Sequence, residues 1–259
     1  MKKRKDKFCG TVIRGDCVEV MQAWVADGDC GTTDLVLADP PYNIGVDYGS
    51  GRGDDMLAPE EYGEWCREWI GLCARALRPG GSLWVVSGQE HGARIDLAIQ
   101  DAGLIIRNRI TWHESFGVYC HRKFGRTSRP IYYAVKPGAP FTFNDMEVRI
   151  PSARQSKYRD KRAHPNGKIM GDVWSISRVC GTFRERVKGV PTQLPYKLVS
   201  RILGVATNEG DTILDPFAGS GTSLRVAVDM GRDAIGIEKS PEYFAIAEER
   251  LTRSRSATS

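Results

Sequence analysis

The chain has 259 residues and a mass of 28.8 kDa, with 41% hydrophobic and 27% charged residues, an ordinary soluble composition. This length accommodates one large α/β domain with an insertion, and no apolar run reaches the roughly 18 residues that a transmembrane helix needs. The seven cysteines form no C-x-x-C pair and no export signal is recognisable, so we expect reduced thiols in a cytoplasmic protein without a bound metal.

Positive charge is concentrated in one segment. The whole chain carries a net charge of +5. Residues 149–188 contain eleven Lys and Arg residues and three acids, a net of +8, which leaves −3 for the rest of the chain. A basic segment on an otherwise slightly acidic protein indicates a polyanion as partner.

The first half of the chain alternates strands and helices. Continuous apolar runs indicate buried parallel strands, and apolar residues at three- and four-residue steps indicate helices. The predicted strands are 8–14, 33–38, 82–87, 104–112 and 130–135. The predicted helices are 18–26, 59–77 and 91–102. The strands at 104–112 and 130–135 are expected to pair antiparallel at the sheet edge, and the glycine-rich residues 43–55 to form a mobile loop.

Residues 139–188 interrupt this alternation, which resumes after them. The later helices are predicted at 196–206, 223–230 and 241–251, and the later strands at 212–215 and 233–237. The pattern predicts a single α/β domain with a Rossmann-like, mostly parallel sheet, helices on both faces and an antiparallel edge strand. Its predicted parts are a core at 8–138 and 189–251, an inserted recognition segment at 139–188 and a disordered tail at 252–259.

Asp39-Pro40-Pro41-Tyr42 follows an apolar run, at the predicted carboxyl end of a strand. Two prolines fix φ and remove backbone donors, so they hold the carboxylate and the aromatic ring in a fixed relation. Open α/β sheets bind their ligands at this edge. A carboxylate acceptor beside a flat stacking face suits a nucleobase with an amino group. A stiff loop with a helix-capping Asp39 is the alternative interpretation.

A second turn runs from Asp215 to Thr222, between a predicted strand and a predicted helix. Gly219 and Gly221 allow a ligand to approach the backbone closely, and Glu238 ends the next strand, where a carboxylate can accept from ribose hydroxyls. The third glycine of the dinucleotide fingerprint and the Gly-Lys-Ser/Thr of a P-loop are both missing. Asp215 would repel a pyrophosphate and attract an ammonium, so the turn indicates S-adenosylmethionine. A tight structural turn is the alternative.

The order of these two turns, separated by a basic segment, resembles the β-class DNA amino-methyltransferases over residues 8–251. The resemblance implies a circularly permuted methyltransferase order, S-adenosylmethionine as cofactor and double-stranded DNA as substrate. It adds cofactor contacts before the first helix and at Thr192 and, more weakly, Gln193. The expected cofactor-binding residues are Asp16, Cys17, Asp39, Thr192, Asp215, Phe217, Ala218, Gly219, Ser220, Gly221, Thr222 and Glu238. Arg129-Pro130 stands where the family has His-Glu, and we assign it no role.

The resemblance also implies a mechanism in which the target base is flipped out of the duplex. Asp39, Pro40, Pro41 and Tyr42 would be the catalytic residues: the ring of Tyr42 stacks on the base, and Asp39 and the Pro40 carbonyl accept from its amino group. Asp before Pro-Pro-Tyr favours adenine N6 over cytosine N4, which remains the alternative, as does an RNA or protein-amide substrate. An oxidoreductase would share only the glycine turn and Glu238, and a non-catalytic DNA-binding module only the basic segment.

The basic segment is expected to contact DNA phosphates, with some arginines reading guanine in the major groove. The candidate contacts are Arg154, Lys157, Arg159, Lys161 and Arg162. A solvated face is the alternative for each of them. No metal is needed, because the cofactor itself carries the activated methyl group. A homodimer, common in the resembled family, and a cognate restriction endonuclease are the protein partners to be tested.

Overall fold

The computed structural model describes residues 9–28, 30–47, 55–114, 117 and 120–257, with side chains as far as Thr252. The strands are β1 (Gly10–Arg14), β2 (Thr33–Ala38), β3 (Leu77–Val86), β4 (Ile105–His113), β5 (Ser128–Val135), β6 (Arg149–Ile150), β7 (Lys168–Ile169), β8 (Val173–Ser175), β9 (Thr212–Asp215) and β10 (Asp233–Glu238). The helices are α1 (Cys17–Ala26), α2 (Pro59–Ala76), α3 (Gly92–Asp101), α4 (Ala153–Ser156), α5 (Tyr196–Ala206), α6 (Thr222–Asp229) and α7 (Pro241–Ala257).

Among the described residues, a mixed eight-stranded sheet has the order β1-β10-β9-β2-β3-β5-β4-β8. The strands from β1 to β3 in this order run parallel, while β5 is antiparallel to both of its neighbours, β3 and β4. β2 is buried along nearly its whole length, as its continuous apolar sequence requires. The predicted mostly parallel α/β sheet is therefore confirmed.

Helices cover both faces of the sheet and create two cores. α2 begins with a proline at its first position and buries Tyr62, Cys66 and Trp69 at three- and four-residue steps. This face of α2, together with α1 and α3, packs against the side chains that β2 and β3 direct to one face of the sheet. On the opposite face, α5 and α6 bury residues such as Leu198 and Leu224 against the same sheet. The predicted two-layer covering is present, and it leaves the carboxyl edge of the parallel strands open.

The predicted insertion at 139–188 is joined to the domain more closely than we expected. β8, from this segment, pairs parallel with β4 and forms the edge of the sheet, so the antiparallel β4–β5 pair is not at the edge. Trp174 and Ile176 are buried in the main core, while Val173 and Ser175, which alternate with them, are exposed. This alternation is that of a half-buried strand. The segment therefore combines an edge strand with a polar outer part that includes β6, β7 and α4.

Two predicted boundaries are wrong. α7 continues to Ala257 and does not end at Leu251, because no glycine or proline follows to stop it. Residues 252–257 are therefore helical, which corrects the expected disordered tail for this part. β3 begins at Leu77, directly after α2, with a register shift in its pairing to β2. No helix in the described part of the chain is long and apolar enough to cross a membrane.

Candidate active site

Four carboxylates converge at one edge of the sheet. β1, β10, β9 and β2 are neighbours and parallel, so their carboxyl ends meet. Asp39 directly follows β2, Asp215 and Glu238 end β9 and β10, and Asp16 follows β1. All four line one cavity of about 390 Å³. Residues that are nearly 200 positions apart in the sequence therefore share one site.

Most of the predicted cofactor-binding residues line this cavity. They are Asp16, Cys17, Asp39, Thr192, Asp215, Phe217, Ala218, Gly219, Ser220, Thr222 and Glu238. Pro41, predicted as catalytic, lines it too. Pro40, Tyr42 and Gly221 are buried beside it and are not part of its lining in the described structure. Aromatic residues that we had not predicted, Trp65 and Tyr243, complete the wall.

Hydrogen bonds fix the turn from Asp39 to Tyr42. Tyr42 Oη donates to Asp39 Oδ1, and Tyr62 Oη, from α2, donates to the Pro41 carbonyl across 2.8 Å. Gly88, just after β3, leaves room for the tyrosine, since a Cβ there would lie 3.1 Å from Tyr42 Cβ. Tyr42 is only 7% exposed. The carboxylate and the ring are thus held in one relation, and protein covers most of the ring.

Asp55 organises the chain that follows Tyr42. Its Oδ1 accepts from the Asn43 amide at 2.6 Å, and its Oδ2 accepts from Ile44 at 3.1 Å and Val46 at 2.8 Å. Asp55 is 1% exposed, so this carboxylate replaces water as the partner of three amides. Within the segment 43–55 that was predicted to be a mobile loop, residues 43, 44 and 46 are thus hydrogen-bonded to Asp55. Residues 48–54 lie outside the described residues.

The glycine turn is closed by Glu238. Glu238 Oε2 accepts from the Gly219 amide and Oε1 from the Ser240 amide, both at 2.7 Å. Gly221 has φ of +73°, and a Cβ there would lie 3.0 Å from Ala247 Cβ. Both the backbone conformation and the lack of space therefore favour glycine at this position. A carboxylate has about four acceptor sites. Glu238 can therefore hold the turn and still accept from ligand hydroxyls in the cavity.

Asp215 is tied to the same turn. Its Oδ1 accepts from the Phe217 amide at 2.9 Å, and Ser223 Oγ donates to Oδ2. It is 4% exposed. Burial raises the pKa of Asp215 to about 7, with the hydrogen bond from Ser223 opposing this and the nearby Asp39 adding to it. The side chain is therefore close to half-protonated at neutral pH, which a cationic ligand group would change.

Asp16 and Gln193 also make contacts inside the protein. Asp16 Oδ1 caps α1 by accepting from the Val18 amide at 2.9 Å, and its Oδ2 lies 3.5 Å from Lys239 Nζ. Gln193 bonds to the backbone of Val187 at 2.9 Å and to that of residue 185 at 2.8 Å. Asp16 thus combines a helix cap with a place in the cavity wall, whereas Gln193 fastens the end of the basic segment.

The predicted DNA-contact residues lie apart from the cavity, on the exposed outer part of the basic segment. Two of them pair with one acid: Arg154 Nη2 is 2.7 Å and Arg162 Nε 3.1 Å from Asp160 carboxylate oxygens. Lys157 Nζ lies 5.5 Å from the ring centroid of Tyr158. Arg159 and Lys161 are exposed in the same stretch. The pairing with Asp160 reduces the charge that the arginines present, so the lysines and Arg159 carry more of it.

Arg129, near the start of β5, and Glu114, directly after β4, were not predicted as site residues. Arg129 Nη1 donates to Tyr42 Oη across 3.0 Å, and its Nε lies 3.1 Å from Glu114 Oε1. Arg129 had been given no role because it departs from the family pattern. The sequence offered one signal for Arg129: it stands at the start of a strand predicted to be antiparallel, and this end of the strand lies at the carboxyl edge of the parallel strands. In the described part of the chain, no group of three or more His, Cys, Asp or Glu is placed to hold a metal ion.

Comparison with known proteins places this geometry in a family. The family model described as DNA methylase, for N6 and N4 methyltransferases, matches residues 33–249. The type II methyltransferase M.HpaI of Haemophilus parainfluenzae is 36% identical over 219 residues, 84% of this chain and 68% of its own. The DNA adenine methyltransferase YhdJ of Escherichia coli K12 is 33% identical over 252 residues, 93% of this chain and 82% of its own. The structure of TTHA0409, a putative DNA modification methylase from Thermus thermophilus, complexed with S-adenosyl-L-methionine, matches with a TM-score of 0.65 and 25% identity, covering 95% of this chain and 96% of that one.

Proposed function

The chain belongs to the family of N6 and N4 DNA methylases, and from this premise we propose that it transfers a methyl group from S-adenosylmethionine to the N6 amino group of adenine in double-stranded DNA. One observation carries the proposal. Asp39 lines the same cavity as Gly219 and Glu238. An acceptor for the target amine therefore adjoins a pocket suited to the methyl donor.

The cavity residues fit S-adenosylmethionine chemically. Glu238 offers acceptor sites to the ribose hydroxyls of the cofactor. Asp16, which follows β1, offers an acceptor site to the amino group of the cofactor's adenine. Phe217 offers an apolar ring, fixed edge-on by Trp69 at a centroid distance of 5.2 Å. Asp215 offers a carboxylate to the ammonium of the methionine part. Bound there, the cofactor supplies an activated methyl group.

The protein's contribution to transfer is placement and charge. The Asp39 carboxylate and the Pro40 carbonyl accept hydrogen bonds from the adenine amino group, which orients the nitrogen lone pair away from the ring. Positive charge develops on this nitrogen as its bond to the methyl group forms and the methyl–sulfur bond breaks, so a carboxylate stabilises the transition state more than the ground state. The nitrogen then loses one proton and becomes neutral. The part of the Tyr42 ring that protein leaves uncovered stacks on the flipped base and regains part of the cost of unstacking, roughly 1–3 kcal/mol.

Adenine is favoured over cytosine by the relatives, since YhdJ is named a DNA adenine methyltransferase. Either amine would satisfy the Asp39 acceptor. The test is incubation of unmethylated duplex DNA with labelled S-adenosylmethionine, followed by nucleoside analysis, with Asp39→Ala as the inactive control. Label in N6-methyladenine is expected. Label in N4-methylcytosine would overturn the choice of base, and unlabelled DNA with labelled RNA or protein would overturn the substrate.

The exposed basic segment supports the proposal that DNA phosphates lie along residues 153–162, outside the cavity. The relative M.HpaI is a type II methyltransferase, so a restriction endonuclease with the same recognition sequence is a proposed partner. A homodimer is proposed from the family resemblance alone. Light scattering of the purified chain tests the dimer, and long-read methylation mapping in an expressing host gives the recognition sequence for which an endonuclease can be sought. Action on DNA in the cytoplasm follows from the same proposal.

A further inference from the structure

Arg129 lies against the residues that are proposed to hold the target amine. Its guanidinium carbon is 5.2 Å from the ring centroid of Tyr42 and 5.5 Å from that of Trp112. Its Nη1 donates to Tyr42 Oη at 3.0 Å. Because Tyr42 Oη in turn donates to Asp39 Oδ1, the guanidinium is linked to the acceptor carboxylate through one hydroxyl. The cation thus fixes both the plane of the ring and the direction of the hydroxyl.

Asp39 is surrounded by two carboxyl groups that oppose its charge, and by a hydroxyl and a cation that favour it. Tyr42 comes from the same turn, Glu114 from the end of β4, Asp215 from the end of β9 and Arg129 from the start of β5. Glu114 is 5% exposed, so a second carboxylate is buried close to the first. Arg129 is the cation that acts on Asp39 in the described structure. Without it, two acids in a poorly solvated site would repel each other.

We propose that Arg129 is a positioning residue of the amine-binding site, which orients Tyr42 and supplies the counter-charge that keeps Asp39 ionised for transfer, with Glu114 setting how much of that charge Asp39 receives. The proposal rests on the function proposed above. Arg129 does not touch the cavity that holds the methyl donor, so its effect should be on the amine and not on cofactor affinity.

The electrostatics agree with this geometry. Burial raises the pKa of Asp39. Arg129 and the Tyr42 hydroxyl lower this pKa, whereas Glu114 raises it further. Arg129 and Glu114 therefore act on Asp39 with opposite signs. Glu114 Oε1 is 3.1 Å from Arg129 Nε, but within the described residues it makes no hydrogen bond, because the contact lacks hydrogen-bond geometry. The contact is therefore one of charge, and neutral variants of either residue should reveal it.

The experiment measures methyl transfer between pH 5 and pH 8.5 for Arg129→Gln, Glu114→Gln and the double variant. Duplex DNA and S-adenosylmethionine are both kept saturating at every pH, so that the titration of Asp215 does not limit the rate. Transfer requires ionised Asp39, so the rate falls on the acid side with the pKa of that carboxyl. Arg129→Gln should move the acid midpoint to higher pH, and at pH values well below both midpoints the relative rate should fall about tenfold for each unit of movement. Glu114→Gln should move it to lower pH, and the double variant should lie between. Arg129→Lys, which keeps the charge, should restore most of the wild-type profile.

Arg109→Gln is the matched control. Arg109 lies on β4 and binds Asp96 through two hydrogen bonds at the surface, away from the site, so its variant should keep the wild-type midpoint. S-adenosylmethionine affinity and thermal melting of each variant separate folding from positioning. If the rate falls equally at every pH and the midpoints of Arg129→Gln and Glu114→Gln do not move, the proposed role of Arg129 is overturned while the proposed function of the chain is not. A wild-type chain that methylates no DNA would overturn the proposed function, and this inference with it.

Discussion

The raised pKa of Asp215 makes a quantitative prediction for cofactor binding. Burial is the largest cause of its value of about 7. An ammonium placed against this side chain favours the ionised form, so S-adenosylmethionine should bind to ionised Asp215 and displace its proton. With a pKa near 7, about 3% of the side chain is ionised at pH 5.5 and about half at pH 7.0. Affinity should therefore rise about 15-fold over this range.

Isothermal titration calorimetry in two buffers of different ionisation enthalpy is the assay. At pH 6, wild-type protein should release about 0.9 protons per cofactor bound, since about nine tenths of Asp215 is protonated beforehand. The range stays below pH 7.5, because the α-amino group of the ligand itself titrates near pH 8. Asp215→Asn should bind more weakly at pH 7 and should lose this part of the pH dependence. A wild-type affinity that is constant from pH 5.5 to 7.0, without proton release, would show that Asp215 only closes the turn.

The same shift affects the stability of the ligand-free protein, in the opposite direction. Since the pKa of Asp215 is raised from 3.8 to about 7 in the folded state, the native protein binds this proton more tightly than the unfolded chain does. The resulting stability is fully present below about pH 4 and is lost as the pH rises through about 7. Its size is at most about 4 kcal/mol, at about 1.4 kcal/mol per pKa unit. Urea unfolding at pH 5 and pH 7.5 should show this loss in wild-type protein and not in Asp215→Asn.

Three further predictions concern the surface, the loop and the turn. Three basic residues do not pair with Asp160 and can be neutralised together, by Lys157→Gln, Arg159→Gln and Lys161→Gln. If each contacts a phosphate, the slope of log affinity for DNA against log salt concentration should become about 2.7 less steep. An unchanged slope would exclude that contact. Asp55→Ala leaves three partly buried amides without their acceptor, so the free energy of unfolding should fall by about 1.5–3 kcal/mol, and methyl transfer with it. Urea unfolding and single-turnover rates measure both, and full activity would contradict the role of Asp55. Gly221→Ala should lower the free energy of unfolding by about 1–2 kcal/mol because of its left-handed φ, and further because the new Cβ would clash with Ala247. Gly210→Ala is the control for the φ effect alone, since Gly210 has φ of +88° and open space around it. Equal losses for the two variants in urea unfolding would contradict the effect of Ala247.

The sequence was sufficient to predict the parts of the site that follow strand ends. Asp39, Asp215 and Glu238 each end or follow an apolar run, and parallel strands bring such ends to one edge. The double use of these acids was not predictable, because it depends on which amide lies within reach. Glu238, for example, binds the amide of Gly219, which is 19 residues earlier in the chain. Local motifs therefore identified the residues, while their hydrogen bonds required the folded structure.

Arg129 shows the kind of information that a motif lacks. β5 runs antiparallel to β3, so its first residues lie at the carboxyl end of β3, on the same edge of the sheet as Asp39. Alternate residues share a face, and Ile131 and Tyr133 are buried in the core of this face. Arg129 continues the same row beyond Ile131, opposite Trp112 on β4, and its guanidinium reaches Tyr42 Oη. A slip of one residue in this pairing would turn Arg129 to the other face, away from Tyr42. The charge at the proposed amine-binding site thus depends on the register of an antiparallel pair, which neither the Asp-Pro-Pro-Tyr turn nor the glycine turn encodes.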